Sequence, residues 1–222
     1  MSEQSEFSII QHYFEQLTSS RDDVQLGIGD DCALLKCPDN HLLAVSIDTL
    51  VSGIHFFPDV DPQTLGHKSL AVGLSDLAAM GAKPAWFTLA LTLPEIDEDW
   101  LLGFSQGLAE LAKQHNIQLV GGDTTRGPLA ISIQVHGFVD ANKALRRSGA
   151  KPGDLIYVTG TLGDAGAGLQ LQLNQWHEDN LQAVDQSYLR QRLEKPTPRV
   201  EIGQKLLGLA SSAIDISDGL LA

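Results

Sequence analysis

The chain has 222 residues, of which 43% are hydrophobic and 19% charged, and its formal net charge is −13. That length supports a real core, as one large domain or two small ones, and the composition is that of a soluble globular protein. The acidic balance excludes a nucleic-acid backbone or an anionic membrane as the main partner, because both would repel it.

No apolar run approaches the roughly 20 residues of a membrane span. The stretch Met1-Ser2-Glu3-Gln4-Ser5-Glu6 lacks the basic-then-apolar pattern of a secretory signal, so the cytoplasm is the expected compartment. Cys32 and Cys37 have no second Cys pair or His cluster near them and are expected as reduced, partly buried thiols.

Along the chain, Phe7, Ile10, Phe14 and Leu17 recur at helical spacing and predict an amphipathic helix. A glycine turn follows at 27–31. Leu43, Val45 and Ile47 then alternate with Ala44, Ser46 and Asp48, the period of a strand. That alternation places Ser46 and Asp48 on one face and the larger apolar side chains on the other. Asp61-Pro62 reads as an N-cap and first helical residue, opening a helix that should run to Met80 and stop at Gly81. Asp76 falls in its last turns, where the helix dipole disfavours a bare carboxylate and calls for a positive neighbour.

A strand at 85–93, a helix from about 96 to 115, a short strand at 117–120 and an alternating strand at 129–139 follow. Helices mixed with adjacent strands predict an α+β fold and not a doubly wound parallel one. The basic, proline-bearing stretch 146–154 is the candidate linker, dividing the chain into units 1–145 and 146–222. Beyond it come a predicted strand at 155–159, a glycine turn at 160–164, helices following that turn and at 181–193 and 200–209, and a last strand at 213–216. Two short strands do not make an independent sheet, so the second, α/β unit reads as incomplete and the sequence as cut short.

Five aspartate-bearing segments share one grammar: Gly27-Ile28-Gly29-Asp30-Asp31, Ser46-Ile47-Asp48-Thr49, the stretch 75–81 around Ser75-Asp76, Gly121-Gly122-Asp123-Thr124-Thr125 and Asp215-Ile216-Ser217-Asp218-Gly219. Each carboxylate lies beside glycine or a small hydroxyl residue, at the expected end of a strand or helix. One such Asp is ordinarily a turn or capping residue. Five brought together would repel one another and require cations. Magnesium fits, being a hard cation commonly shared between a few carboxylates and substrate phosphates. The pattern points to a site for a polyphosphate and its metals. The Gly163-Asp164-Ala165-Gly166 turn lacks the Lys-Ser/Thr ending of a P-loop and is expected to be structural.

Laid out in order, these segments resemble the thiamine-monophosphate kinase family, whose superfamily also holds aminoimidazole ribonucleotide synthetase, selenophosphate synthetase and a hydrogenase-maturation protein. The resemblance covers essentially all of the chain. Its more specific parts are 48–56, Asp48-Thr49-Leu50-Val51-Ser52-Gly53-Ile54-His55-Phe56, and 75–82, Ser75-Asp76-Leu77-Ala78-Ala79-Met80-Gly81-Ala82. The resemblance implies transfer of the ATP γ-phosphate to thiamine monophosphate, giving thiamine diphosphate and ADP. It also implies an N-terminal α+β domain that dimerises through its sheet, a C-terminal α/β domain, and ATP and metals between them.

By that resemblance Asp30, Ser46, Asp48, Asp76, Asp123, Asp215 and Asp218 match metal positions, with Ile47 adding its backbone carbonyl. Gly122, Asp123, Arg147 and Ser217 match nucleotide contacts, and His55 a substrate contact. No catalytic side chain is expected, because the acceptor phosphate is itself the nucleophile and phosphoryl transfer rests on positioning and charge neutralisation. Arg147 is the expected cationic fork for phosphate oxygens. The implied set is therefore Mg²⁺ as cofactor, ATP and thiamine monophosphate as ligands, and a homodimer, without nucleic acid or membrane.

Two features depart from the family pattern: Gln106 stands where a nucleotide contact of another type is expected, and relatives continue past the Ser217-Asp218-Gly219 motif with further substrate contacts. The 222-residue chain alone is accordingly expected to be a poor kinase. The rival readings are another ATP-dependent enzyme of the superfamily, such as the hydrogenase-maturation protein, and a non-catalytic nucleotide-binding remnant.

Overall fold

The computed structural model describes residues 9–15, 17–176, 181–217 and 219–220. Of the first expected helix, Phe7 lies outside the described residues, Ile10 and Phe14 bound a π-helical turn, Ile10–Phe14, that buries Ile9 and Phe14, and Leu17 lies beyond that turn. Two short strands, β1 (Val24–Leu26) and β2 (Leu34–Leu35), pair antiparallel around the 27–31 turn. Sequence reading missed them because alternation cannot register over three and two residues. Val24 and Leu35 cover the sheet near Trp86. Cys32 and Cys37 flank β2 as free thiols and are exposed, not partly buried as expected, because Val24, Ala33 and Leu35 take the inward positions of this ribbon.

The main sheet holds β3 (His41–Val51), β4 (Lys83–Leu93), β5 (Gln118–Arg126) and β6 (Ala130–Asp140) in the order β3-β6-β4-β5. β6 pairs antiparallel with both β3 and β4. β4 and β5 are parallel and are joined by the crossover helix α2 (Glu98–His115), as a parallel pair requires. α1 (Pro62–Ala79) links β3 to β4. This is the expected α+β arrangement with a mixed sheet. β5 runs on to Arg126, six residues past the predicted end, so Gly121-Gly122-Asp123 lies within a strand and not in a turn.

The core forms where the two helices meet one face of the sheet. Leu65, Leu70 and Leu74 of α1, Leu101 and Phe104 of α2, and Phe87, Ile133 and Val135 of the sheet are at most 1% exposed. Each such side chain contributes about 1.5–3 kcal/mol through burial. α1 and α2 touch backbone to backbone: a Cβ on Gly107 would lie 1.8 Å from the Gln63 carbonyl oxygen. Only glycine fits that crossing.

Local signals fix the ends of α1. Asp61 accepts the Thr64 N–H at 2.8 Å, and Pro62 takes the first helical position. At the other end Gly81 is left-handed at φ 67°, and the Ala82 N–H reaches back to the Leu77 oxygen at 2.8 Å. Loss of the N-cap in Asp61→Ala should cost about 1 kcal/mol. Urea unfolding would show this as a lower midpoint at unchanged slope; an unchanged midpoint would remove the cap from the account.

After β6 the described residues form three helices, α3 (Asp164–Gln172), α4 (Ala183–Glu194) and α5 (Val200–Lys205). The strands expected at 155–159 and 213–216 do not form. Ile156 is 99% exposed and Tyr157 84%, and among the described residues no strand lies beside them to take up their backbone groups. α5 is shorter than the predicted 200–209 helix, and its Val200 joins the main core. At the start of α3, Asp164 accepts hydrogen bonds from Thr161 and, at 2.8 Å, from Tyr188. The protein's own carboxylate thus occupies that helix terminus. Among the described residues no helix is long and apolar enough to cross a membrane.

Candidate metal and phosphate site

The alternation of β3 turns Ser46 and Asp48 towards α1, while Leu43, Val45 and Ile47 face outward at 46, 50 and 61% exposure. The end of α1 brings Asp76 to the same place, where the Ser46 hydroxyl donates to its carboxylate. Asp215 arrives from a distant segment and is hydrogen-bonded by Ser75. That segment is tied down through the chain beside Arg147: Ser212 Oγ donates to the Arg146 and Arg147 carbonyls at 3.0 and 2.8 Å, and the Ala213 N–H to Arg146 at 3.1 Å.

Three carboxylates therefore converge. Burial pushes the Asp48 carboxyl above its ordinary value, and the charges of Asp76 and Asp215 add to that rise. Burial likewise raises Asp215, Asp76 adds to it, and the Ser75 hydrogen bond and the Arg147 charge oppose it. One oxygen of Asp215, Oδ2, is buried without a hydrogen-bond partner. Arg147 is the positive group that acts on Asp215.

These raised values have a defined consequence for stability. The native state binds these two protons more tightly than the unfolded chain, so their contribution is lost as pH rises from about 4 through the raised native values. Without divalent metal, Asp48→Asn and Asp215→Asn should each flatten the fall in stability over that window. Urea midpoints in chelator from pH 4 to 7 test this; a slope identical to wild type in both variants would refute it.

The other candidate residues stand apart. Asp30 is exposed in the turn between β1 and β2, where its Oδ1 accepts the Asp31 N–H at 2.8 Å. Across the sheet Asp48 pairs with Ile133, Ile133 with Leu89, and Leu89 with Gly122. Three strand spacings put Gly122 about 14 Å from Asp48, and Asp123 is exposed beside it. Gly122 lies so close to β4 that a Cβ would meet the Leu89 oxygen at 1.9 Å. Ile47 turns its side chain away from the cluster, on an edge strand whose alternate carbonyls have no strand to bond among the described residues. Ser217 is exposed, and Asp218 lies outside the described residues.

His55 sits in the turn after β3, its Nδ1 accepting the Val51 N–H at 3.0 Å. Sequence reading missed two polar residues of α1, Ser75 against Asp215 and Lys68 against His55. Their seven-residue spacing, nearly two full turns on one helix face, is the signal that would have shown them.

Among the described residues no group of three or more His, Cys, Asp or Glu side chains is arranged to hold a metal ion by itself. The donors that do meet, Ser46, Asp48, Asp76 and Asp215, offer only oxygen, and the orphaned Asp215 oxygen calls for a cation. This fits a hard divalent ion whose shell is completed by phosphates and water. A cleft of about 550 Å³ beside Arg21, Lys36 and Asn116 shares no residue with this cluster. Its Arg21 is already bonded to Asp23 and Asn116.

The sheet and its acidic edge define the class: residues 29–139 match the family described as AIR synthase related protein, N-terminal domain. The thiamine-monophosphate kinase of Salmonella typhimurium is 58% identical over 217 residues, 98% of this chain and 66% of that protein. The crystal structure of the thiamine-monophosphate kinase from Stenotrophomonas maltophilia superposes with a TM-score of 0.82 at 53% identity, covering 90% of this chain and 64% of that one. A structure of AaThiL complexed with AMPPCP and TMP gives a TM-score of 0.75 at 31% identity, over 82% of this chain and 58% of that one. The chain belongs to the thiamine-monophosphate kinase family, and it spans 66% of the length of its Salmonella relative.

Proposed function

We propose that this chain serves the transfer of the ATP γ-phosphate to thiamine monophosphate, yielding thiamine diphosphate and ADP, with Mg²⁺ as the cofactor. The observation that carries the reading is the convergence of Ser46, Asp48, Asp76 and Asp215 beside Arg147. The AaThiL complex with AMPPCP and TMP supports the choice of ligands. Asp48, Asp76 and Asp215 would hold Mg²⁺, and when bound the metal neutralises phosphate charge at the acceptor and at the transferred group. Arg147 offers a planar fork to phosphate oxygens. His55 presents its free ring nitrogen to the substrate. Asp30, Asp123 and Asp218 complete the metal set in this reading, with the Ile47 carbonyl, and Gly122 and Ser217 contact the nucleotide.

Residues 1–145 form the metal-binding and dimerising domain in this reading, and 146–222 part of a second domain. The exposed row of Leu43, Val45 and Ile47 supports a two-fold dimer through the outer face of β3. The compartment is the cytoplasm. Thermal shift and product analysis test the reading: Mg-ATP and thiamine monophosphate should each stabilise the chain, the latter only weakly, and thiamine diphosphate should appear slowly when both are present. No shift with thiamine monophosphate and no diphosphate product would overturn it.

A further inference from the structure

α1 carries one lysine or arginine in its eighteen residues, Lys68, and the residue is half-buried. It donates to the main-chain oxygen of His55 at 3.2 Å. Burial pulls the Lys68 ammonium below its ordinary value, with Glu194 acting the other way, so the group sits partly desolvated between the His55 turn and the end of α4.

The turn that Lys68 touches is held by its own backbone. Ser52 bridges Phe56, the Gly53 N–H donates to the Phe56 oxygen at 2.9 Å, and the His55 N–H donates to the Val51 oxygen at 2.9 Å. Phe56, 6% exposed, anchors the turn in the core. The Val51 N–H makes Nδ1 of His55 an acceptor, so the neutral ring carries its proton on Nε2. The ring therefore offers one N–H in one direction. Val51 fixes the ring, and Lys68 fixes the main chain behind it.

Seven residues along the same helix face, Ser75 bonds Asp215, and Asp76 follows at once. Seven residues span about 10 Å of helix. One rigid element thus sets the separation between the His55 turn and the carboxylate cluster. That is the distance a small phosphate ester would need to bridge if its organic end met His55 and its phosphate met the metals.

We propose that Lys68 is a positioning residue for the acceptor substrate: it holds the His55 turn at a fixed distance from the carboxylate cluster, without touching the reacting atoms. The proposal rests on the thiamine-monophosphate kinase reading given above. It predicts that the acceptor substrate feels Lys68 and the nucleotide does not.

Lys68→Met keeps the apolar stem and removes the donor; Lys68→Arg keeps a donor. In the Met variant, amides at 52–57 should exchange faster by hydrogen exchange, KM for thiamine monophosphate should rise about tenfold, and KM for Mg-ATP should stay within about twofold. The Arg variant should recover most of both effects. Unchanged exchange at 52–57, or equal rises in both KM values, would overturn the proposal. So would a collapse of the thermal midpoint in Lys68→Met, which assigns Lys68 to stability alone. If the wild-type chain does not use thiamine monophosphate, it is the functional reading that fails. Exchange at 52–57 then decides Lys68 by itself, faster exchange at an unchanged midpoint supporting it and unchanged exchange overturning it.

Discussion

Asp76→Asn is expected to weaken Mg²⁺-dependent nucleotide binding by more than tenfold, more than about 1.4 kcal/mol, and yet not to destabilise the metal-free chain. Asp76 is the hub of the cluster. Ser46 donates to it, and its charge raises both Asp48 and Asp215. Asparagine keeps the shape and an oxygen for the Ser46 hydroxyl, so that donor is not orphaned. It removes one of three charges that repel one another in a partly desolvated place, and the fold should gain or stay level. A bound cation loses that charge and should bind less well.

The opposite signs are what identify a binding site. A structural carboxylate would lose stability on substitution, and a solvated one would change nothing. Titration calorimetry with Mg-ATP, beside thermal unfolding in chelator, reads both. Unchanged affinity would remove Asp76 from the site, and a lower chelator midpoint would make its role structural. Asp123→Asn should also weaken nucleotide binding. Asp123 stands about three strand spacings from Asp48, so any coupling of its effect to that of Asp76→Asn runs through the ligand they share.

What could be read from the sequence were the features that depend on neighbours along the chain. Asp61-Pro62 and Gly81 bound α1 because capping and left-handed turns are decided within a few residues. The alternation from Leu43 to Asp48 divided β3 into two faces, and the structure keeps that division. The predicted strand at 155–159 failed for the opposite reason. Its residues favour a strand, but a strand exists only beside a partner, and none lies there among the described residues. In the site, the motifs named Ser46, Asp48, Asp76, Asp215 and Arg147, which meet. They also named Asp30 and Asp123, which stand apart from that cluster. Ser75 and Lys68 escaped because their partners, Asp215 and His55, are 140 and 13 residues away, and a pairing at such distances follows from the packing of α1.

In the proposed dimer, Val45→Lys is expected to raise the dissociation constant at least a hundredfold, about 2.7 kcal/mol, and leave a monomer. Val45 is the middle of the outward row, with Leu43 and Ile47 on either side, and it pairs across the sheet with His136 of β6. In a two-fold interface each substitution occurs twice, so an ammonium there would lose its water in both protomers. Sedimentation at tens of micromolar decides the matter. A wild-type monomer would end the dimer proposal, and a Val45→Lys dimer would move the interface elsewhere. The same experiment tests whether the two faces of β3 are independent. A strand alternates strictly, so the lysine at Val45 points away from Ser46, Asp48 and the end of α1. Mg-nucleotide affinity per protomer should then stay within about twofold of wild type, far less than the loss expected for assembly. If affinity fell along with the dimer, assembly would be setting the position of β3, and the metal site would have to be understood as a property of the pair.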